Sequence, residues 1–247
     1  MEGNGTVKTY FDKIYKGTYK EFIAKIAKSI ETEQKEFIIT ANPETFMIAE
    51  DNSDFANVLN AAYTTIVPDG IGIVKAANIL NIPLKERITG VEICQDLFQL
   101  LEKKRGSLYL FGAKKDVGEE LVQKLRIQYP DINVLGYTDG YTSDKDLVMQ
   151  EITQLRPDVL LVALGIPYQE LLIQRYYEKF EKGILIGVGG SFDVLSGKKK
   201  RAPKIFIKCN LEWLYRIIAE PKRIRRFYNS NVKFIKRIRT LKRGEKI

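Results

Sequence analysis

Histidine is absent from the 247 residues of this chain, and its absence excludes more chemistry than any other feature of the composition. Without histidine there is no Ser-His-Asp or Cys-His constellation, and no zinc site of the usual histidine-containing kind. Acid–base catalysis, if the chain performs any, depends on Asp, Glu, Lys, Tyr or Cys side chains.

Cysteine and long apolar segments are also scarce. Cys94 and Cys209 are too few for a disulfide framework, and they do not form a Cys-x-x-Cys pair. No apolar run approaches the roughly 20 residues that span a bilayer, and the first residues lack the apolar core of a secretory signal. The sequence therefore predicts a cytoplasmic protein.

Positive charge is concentrated near the carboxyl end of the chain. Of the 40 lysine and arginine residues, 18 lie between positions 198 and 246, together with only three of the 31 acidic residues. The net charge of +9 thus combines a slightly acidic body with a strongly basic tail. We expect a catalytic or ligand-binding body, residues 1–203, and a basic amphipathic appendage, residues 204–247.

Short apolar runs alternate with longer helical patterns through the body. This rhythm predicts an α/β fold: a Rossmann-like, mostly parallel sheet of about six strands with helices on both faces, followed by the basic C-terminal helical appendage. The predicted strands are Glu36–Thr40, Thr64–Val67, Ser107–Phe111, Ile132–Leu135, Val159–Ala163 and Ile184–Val188.

In such sheets, ligands bind beyond the carboxyl ends of the strands. Asp69 follows the second strand in a Pro-Asp-Gly sequence, which either forms a plain turn or supplies a general base. Asn42, before Pro43, caps a helix or contacts a ligand. Gln169 and Glu170 open a helix that either of them can cap, and Gln169 can equally bind sugar hydroxyls.

Three glycines lie at and just after the end of the last strand and can cradle a diphosphate with backbone N–H groups, or simply form a turn: Gly187, Gly189 and Gly190. The dinucleotide and P-loop fingerprints are incomplete elsewhere, which disfavours a dehydrogenase or an NTPase. Asp144 and Asp146 form an Asp-x-Asp pair at a predicted helix start, where the helix dipole already favours acids. No metal is expected there, since two carboxylates alone make a poor magnesium site.

Large apolar residues are interleaved with the basic residues of the appendage. This pattern fits an anionic membrane surface better than a nucleic acid, although a basic segment can bind either. If the apolar face were left exposed it would favour self-association, so a homo-oligomer is also expected.

Seven sequence strings, taken together and in order, resemble the WecG/TagA/CpsF glycosyltransferases, and most closely the TagA branch. Each string is weak by itself, but the ordered set is specific and runs from about residue 36 to about residue 228. The strings are TANPE (40–44), VPDGIGIVKAA (67–77), RITGVE (87–92), LFGA (110–113), ALGIPYQE (163–170), GVGGSFDVLSGKKKRAP (187–203) and LEWLYRIIAEPKRIRR (211–226).

The resemblance implies an inverting transfer of N-acetylmannosamine (ManNAc) from its UDP-sugar to the 4-hydroxyl of N-acetylglucosamine (GlcNAc) on undecaprenyl diphosphate. No metal is expected, because backbone amides and arginines can neutralise the departing UDP. The reaction belongs to wall teichoic acid synthesis and takes place at the inner face of the cell membrane. Asp69 is implied as the base, with Thr40, Asn42, Arg87 and Gln169 around it. The residues implied for the UDP-sugar are Gly187, Gly189, Gly190, Asp193, Gly112 and Gly165, and those for the lipid diphosphate are Arg216, Arg223 and Arg226.

Three alternatives remain at the level of sequence. A related transferase would use another UDP-hexose, such as the ManNAc uronic acid donor. A nucleic-acid-binding protein would use the basic tail and treat the α/β body as a ligand sensor. A UDP-sugar epimerase would need NAD, whose fingerprint is missing.

Overall fold

A computed structural model describes residues 7–244 of the chain, apart from the side chains of Arg223 and Arg226. Six parallel strands form one sheet in the order β2-β1-β6-β5-β3-β4. The strands are β1 (Lys35–Ala41), β2 (Thr64–Pro68), β3 (Ser107–Gly112), β4 (Asn133–Thr138), β5 (Val159–Ala163) and β6 (Gly183–Gly187). The predicted α/β class and all six predicted strands are confirmed.

Helices connect the strands and cover both faces of the sheet. Those up to the fourth strand are α1 (Val7–Lys13), α2 (Tyr19–Glu31), α3 (Pro43–Asp51), α4 (Ser53–Asn60), α5 (Ile71–Ile79), α6 (Gly90–Lys104) and α7 (Lys115–Gln128). The later ones are α8 (Lys145–Leu155), α9 (Tyr168–Tyr176) with a 3-10 turn at Tyr177–Lys179, α10 (Ser191–Leu195), α11 (Lys204–Lys208), α12 (Glu212–Ala219) and α13 (Arg223–Lys242).

Alternation along the strands divides the core into two layers. In β5, Leu160 and Val162 belong to one buried cluster, whereas Val159 and Leu161 belong to the other. Successive side chains of a strand point to opposite faces, so a continuous apolar run fits a strand that is covered on both sides. The carboxyl edge is then the part of the sheet left open to ligands.

The appendage packs on the body through its last helix. Phe234 and Ile238 of α13 are each only 2% exposed and belong to the core layer that contains α1 and α3. The ring of Phe234 lies 6.4 Å from that of Phe11 and 6.3 Å from that of Phe46. The basic tail is therefore tied to the body by apolar burial as well as by charge. Among the described residues, no helix is both long and apolar enough to cross a membrane.

Candidate active site

Asp69 lies at the carboxyl edge of the sheet, directly after β2. Its backbone N–H donates to the carbonyl oxygen of Ala41 at 2.8 Å, which fixes the turn against the end of β1. Its carboxylate accepts a hydrogen bond from the backbone N–H of Gly90, the first residue of α6. The positive end of that helix dipole therefore faces the carboxylate.

The pKa of Asp69 is matched to proton abstraction near neutral pH. The net pKa of this carboxyl is raised to about 6, because burial raises it more than the neighbouring Arg216 and Arg87 lower it, and Glu212 adds a smaller increase. Desolvation disfavours the charged carboxylate, while nearby cations favour it. The group is deprotonated at pH 7 yet basic enough to take a proton from a hydroxyl in a transition state.

One ion cluster brings α12 to this carboxylate. Glu212, only 8% exposed, accepts from Arg87 at 3.3 Å and from Arg216 at 2.8 Å. Burial raises the pKa of Glu212, but Arg216 and Arg87 outweigh that effect and leave the pKa lowered. A buried acid shared by two arginines thus orients both guanidinium groups beside Asp69.

Four elements meet next to Asp69. The hydroxyl of Thr40 donates to the carbonyl oxygen of Gly187 at 3.3 Å. A Cβ atom added at Gly90 would lie 3.3 Å from the hydroxyl oxygen of Ser191 and 3.6 Å from the methyl carbon of Thr40. The ends of β1 and β6 and the starts of α6 and α10 therefore converge on one point.

Asn42 has the capping role that its sequence context predicts. Its carboxamide oxygen accepts from the N–H groups of Glu44 at 2.8 Å and Thr45 at 3.2 Å. The hydroxyl of Thr45 in turn accepts from the N–H of Asn42 at 3.0 Å. Because the cap uses the carboxamide oxygen, Asn42 offers a ligand its NH₂ group.

A cationic cavity of about 580 Å³ lies between the glycine loop and α12. Its volume is in the range of small-molecule sites, and four basic side chains give it a positive lining. The lining residues are Gly190, Val194, Lys199, Lys200, Arg201, Ala202, Glu212, Tyr215, Arg216, Ala219 and Glu220.

Acidic side chains contact Lys199 and Arg201, two of the basic residues of the cavity. Lys199 lies 3.0 Å from Glu220 and 3.5 Å from Asp193, and Arg201 lies 2.7 Å from Glu92 on α6. The Nε atom of Arg201 is buried and makes no hydrogen bond within the described residues. Phosphate oxygens are suitable partners for such preoriented cations.

The glycine loop after β6 has two conformational reasons for its composition. A Cβ atom at Gly187 would come within 2.6 Å of the Gln169 amide nitrogen, and Gly189 has φ +47°. Gly190 lines the cationic cavity. The structure thus brings Gly190 to the cavity and explains Gly187 by close packing.

Gly112 lies away from the Asp69 cluster. Four strand spacings, roughly 19 Å, separate the end of β3 from that of β2. Gly112 has φ +119°, and a Cβ atom there would lie 2.5 Å from the backbone of Ala163. Close approach of β3 to β5 accounts for this glycine without a ligand. Gly165, with φ +83°, has its N–H bound by Gln169.

Gln169 is only 2% exposed, and its amide oxygen accepts from the backbone N–H groups of Gly165 and Gly189, each at 3.1 Å. Gln169 thereby links the loop after β5 to the loop after β6 on their buried side. Of the three appendage arginines, Arg216 reaches the site, whereas the side chains of Arg223 and Arg226 lie outside the described part of the structure.

The Asp-x-Asp pair has structural partners on α8 and α9. Asp144 caps α8 by accepting from the N–H of Leu147 at 2.8 Å. Asp146 accepts from Arg175 at 2.8 Å and from the hydroxyl of Tyr176 at 2.9 Å. The Asp144 contact agrees with the interpretation of the pair as a helix start, and the Asp146 contacts join α8 to α9.

Sequence reasoning missed several residues of this region. Glu212, Ser191 and Lys199 each lie inside a family-like string, but nothing in the spacing distinguishes them from neighbouring polar residues. Their positions follow from tertiary contacts: Glu212 from the docking of α12, and Lys199 from the fold of the segment after α10.

Comparison with known proteins supplies the family. The model of the "Glycosyl transferase WecG/TagA/CpsF family" matches residues 9–246. The chain is 44% identical over 189 residues to the N-acetylglucosaminyldiphosphoundecaprenol N-acetyl-beta-D-mannosaminyltransferase of Bacillus subtilis (strain 168), covering 76% of this chain and 73% of the relative. It is 37% identical over 190 residues to the protein of that name from Staphylococcus aureus (strain MRSA252), covering 77% and 74%. The chain belongs to the WecG/TagA/CpsF family of glycosyltransferases.

Proposed function

We propose that the chain transfers N-acetylmannosamine from UDP-ManNAc to the 4-hydroxyl of GlcNAc on undecaprenyl diphosphate, forming a β-1,4 linkage on the way to wall teichoic acid. One observation carries this proposal: Arg216 both lines the cationic cavity and acts on the carboxylate of Asp69. A buried carboxylate and a cationic cavity of small-molecule size therefore lie side by side, which supports sugar transfer from a nucleoside diphosphate. The relatives' names supply the donor sugar and the acceptor.

The reaction is a single displacement with inversion at the sugar. Asp69 accepts the proton of the acceptor hydroxyl as the oxygen forms a bond to the anomeric carbon, and the bond from that carbon to the UDP oxygen breaks. The electron pair leaves with UDP, whose new charge is met by Lys199, Arg201 and Arg216. Such preorganised positive groups stabilise charge that develops in the transition state.

A donor screen on a short-chain analogue of the lipid acceptor tests the proposal. The enzyme is expected to transfer ManNAc and to leave UDP-GlcNAc and the ManNAc uronic acid donor almost unused. Efficient transfer of either other sugar, with ManNAc rejected, would overturn the donor assignment while leaving the family intact.

Transfer is expected to persist in excess EDTA. The proposed positive charge around the leaving UDP comes from lysine and arginine side chains, and both aspartates of the Asp-x-Asp pair already have protein partners. Turnover should stay within about twofold of the untreated enzyme, a change of only about 0.4 kcal/mol in the barrier. Loss of activity in EDTA that magnesium or manganese restores would show that a metal supplies this charge.

The appendage is proposed to rest on the inner face of the cell membrane, where the lipid acceptor lies. Its helices expose large apolar side chains beside basic ones, as interfacial helices do. The most exposed are Ile205, Ile218, Ile224, Tyr228 and Ile235. The homo-oligomer expected from this same face stays a prediction.

Exchanging two of these residues for serine, in the Ile218→Ser/Tyr228→Ser variant, should weaken binding to vesicles that contain phosphatidylglycerol by about tenfold or more. Burying either side chain contributes about 1.5 kcal/mol or more, and a tenfold change corresponds to about 1.4 kcal/mol. The matched control is Ile127→Ser, which removes an exposed isoleucine from α7 on the body. Unchanged vesicle binding in the double variant, or preference of the wild-type protein for duplex DNA at ~0.15 M salt, would contradict the membrane assignment.

A further inference from the structure

Gln169 and Glu170, at the start of α9, form a buried polar pair behind the glycine loops of the site. Glu170 is only 1% exposed, and its Oε1 atom accepts a hydrogen bond from Gln169 Nε2 at 2.7 Å. The single amide oxygen of Gln169 then accepts from the N–H of Gly165 after β5 and from the N–H of Gly189 after β6. One side chain thus joins two loops that are far apart in sequence.

The carboxyl group of Glu170 selects the orientation of that amide. If the amide were turned over, its NH₂ group would face the two backbone N–H donors and its oxygen would face Glu170 Oε1. Both contacts would set like groups against each other, so the acceptor on Glu170 keeps the amide oxygen on the side of the loops.

The second oxygen of Glu170 has no hydrogen-bond partner within the described residues. Burial raises the pKa of this carboxyl to about 7, which is the expected response of an acid held away from water. An apolar residue would avoid the cost of burying this unpartnered polar atom. The hydrogen bond to Gln169 is the contact that an apolar residue could not make.

The pair lies directly against the strand end that borders the site. A Cβ atom added at Gly187 would lie 2.6 Å from Gln169 Nε2 and 2.8 Å from Glu170 Oε1. The carbonyl oxygen of Gly187 accepts from Thr40, and Gly190 lines the cationic cavity. The Gln169 amide therefore contacts the loop that leads to the cationic cavity.

We propose that Glu170 is a positioning residue: by orienting the Gln169 amide, it fixes the loops at Gly165 and Gly189 in the shape that binds the diphosphate of the sugar donor. The identity of the ligand, a sugar donor with a diphosphate, rests on the proposed function. The link from Glu170 through Gln169 to the two loops rests on the hydrogen bonds alone.

Amide hydrogen exchange of the ligand-free protein, followed by NMR, tests the structural link. Glu170→Met removes the acceptor that holds the Gln169 amide. The hydrogen bonds from the N–H groups of Gly165 and Gly189 to that amide should then open more often, and both N–H groups should exchange about tenfold faster. Glu170→Gln keeps an acceptor oxygen and should restore slow exchange. Ile173→Val, a buried packing change on the same helix, should leave these two amides as they are in the wild type.

Calorimetric titration with UDP tests the functional link. Affinity should fall about tenfold in Glu170→Met and stay near wild type in Glu170→Gln. The double variant Gln169→Met/Glu170→Met should bind UDP no more weakly than Gln169→Met alone, because Glu170 acts through Gln169.

Wild-type exchange and affinity in Glu170→Met, or equal defects in both Glu170 variants, would overturn the proposal. Faster exchange with unchanged UDP affinity would overturn the assignment to the donor site. Failure of the wild-type protein to bind UDP would instead count against the proposed function, and the exchange measurement would still decide the role of Glu170.

Discussion

Replacing Asp69 with asparagine is expected to lower turnover by about 100-fold or more and to leave affinity for the nucleotide sugar nearly unchanged. Asparagine keeps the shape of the side chain and can still accept from the N–H of Gly90, but it cannot take the proton of the acceptor hydroxyl. Steady-state rates with a short-chain acceptor and titration with UDP separate the two effects.

The matched control is Asp139→Asn. Asp139 follows β4 at the far end of the same sheet edge, and its carboxylate accepts from the N–H of Tyr141 at 2.8 Å. This variant removes a carboxylate from the edge without touching the Asp69 cluster, so turnover should stay close to wild type. Near-wild-type turnover in Asp69→Asn itself would remove Asp69 from the mechanism.

Reversing the charge of Arg216 should be the second most damaging single change, with turnover reduced by at least about tenfold. In Arg216→Glu the new carboxylate would face Glu212 and Asp69 and would leave the cationic cavity with one basic residue fewer. The side chain of Arg216 is half-exposed, so the protein should remain folded, which thermal melting can check.

Lys208→Glu provides the control for charge in the appendage. Lys208 is exposed on α11 and lies outside the lining of the cavity. With a soluble acceptor, this reversal should leave turnover nearly unchanged. If both reversals reduced turnover equally, the effect would belong to the net charge of the appendage and not to the position of Arg216.

The sheet was predictable because each strand is a short apolar run bounded by turn residues. Such continuous runs are typical of parallel strands that are buried on both faces. Asn42 was predictable as a cap from the Asn-Pro pair alone. Helix α1 was missed because its buried residues, Val7, Tyr10 and Phe11, lie among polar residues in a segment too short to show a clear period.

The polar network around Asp69 was only partly predictable. Asp69 itself follows a strand, and the carboxyl ends of parallel strands, where ligands bind, can be identified from the direction of the chain. Glu212 and Arg216 come from a helix far along the chain, and their contact with Arg87 depends on how the appendage docks. Burial of Glu170 likewise depends on the packing of α9 against the end of β6.

The division into residues 1–203 and 204–247 stays a prediction. Truncation near residue 203 is still expected to abolish most transferase activity, since it removes Arg216 and α12. The packing of Phe234 and Ile238 adds a structural cost, because truncation would also uncover Phe11 and Phe46. Point variants of Arg216 therefore test the role of the appendage more cleanly than truncation does.

The pH dependence of kcat/KM, measured for the wild type, Asp69→Asn and Arg216→Glu, tests the central claim most directly. A base must be deprotonated to act, so the wild-type rate should rise with pH through an apparent pKa of about 6 and then level off. Removing the cation that lowers the pKa of Asp69 should move this limb to higher pH in Arg216→Glu, and the limb should vanish in Asp69→Asn. A wild-type profile that is flat between pH 5 and about 8, or one whose limb is retained in Asp69→Asn, would contradict the account of Asp69 as the base.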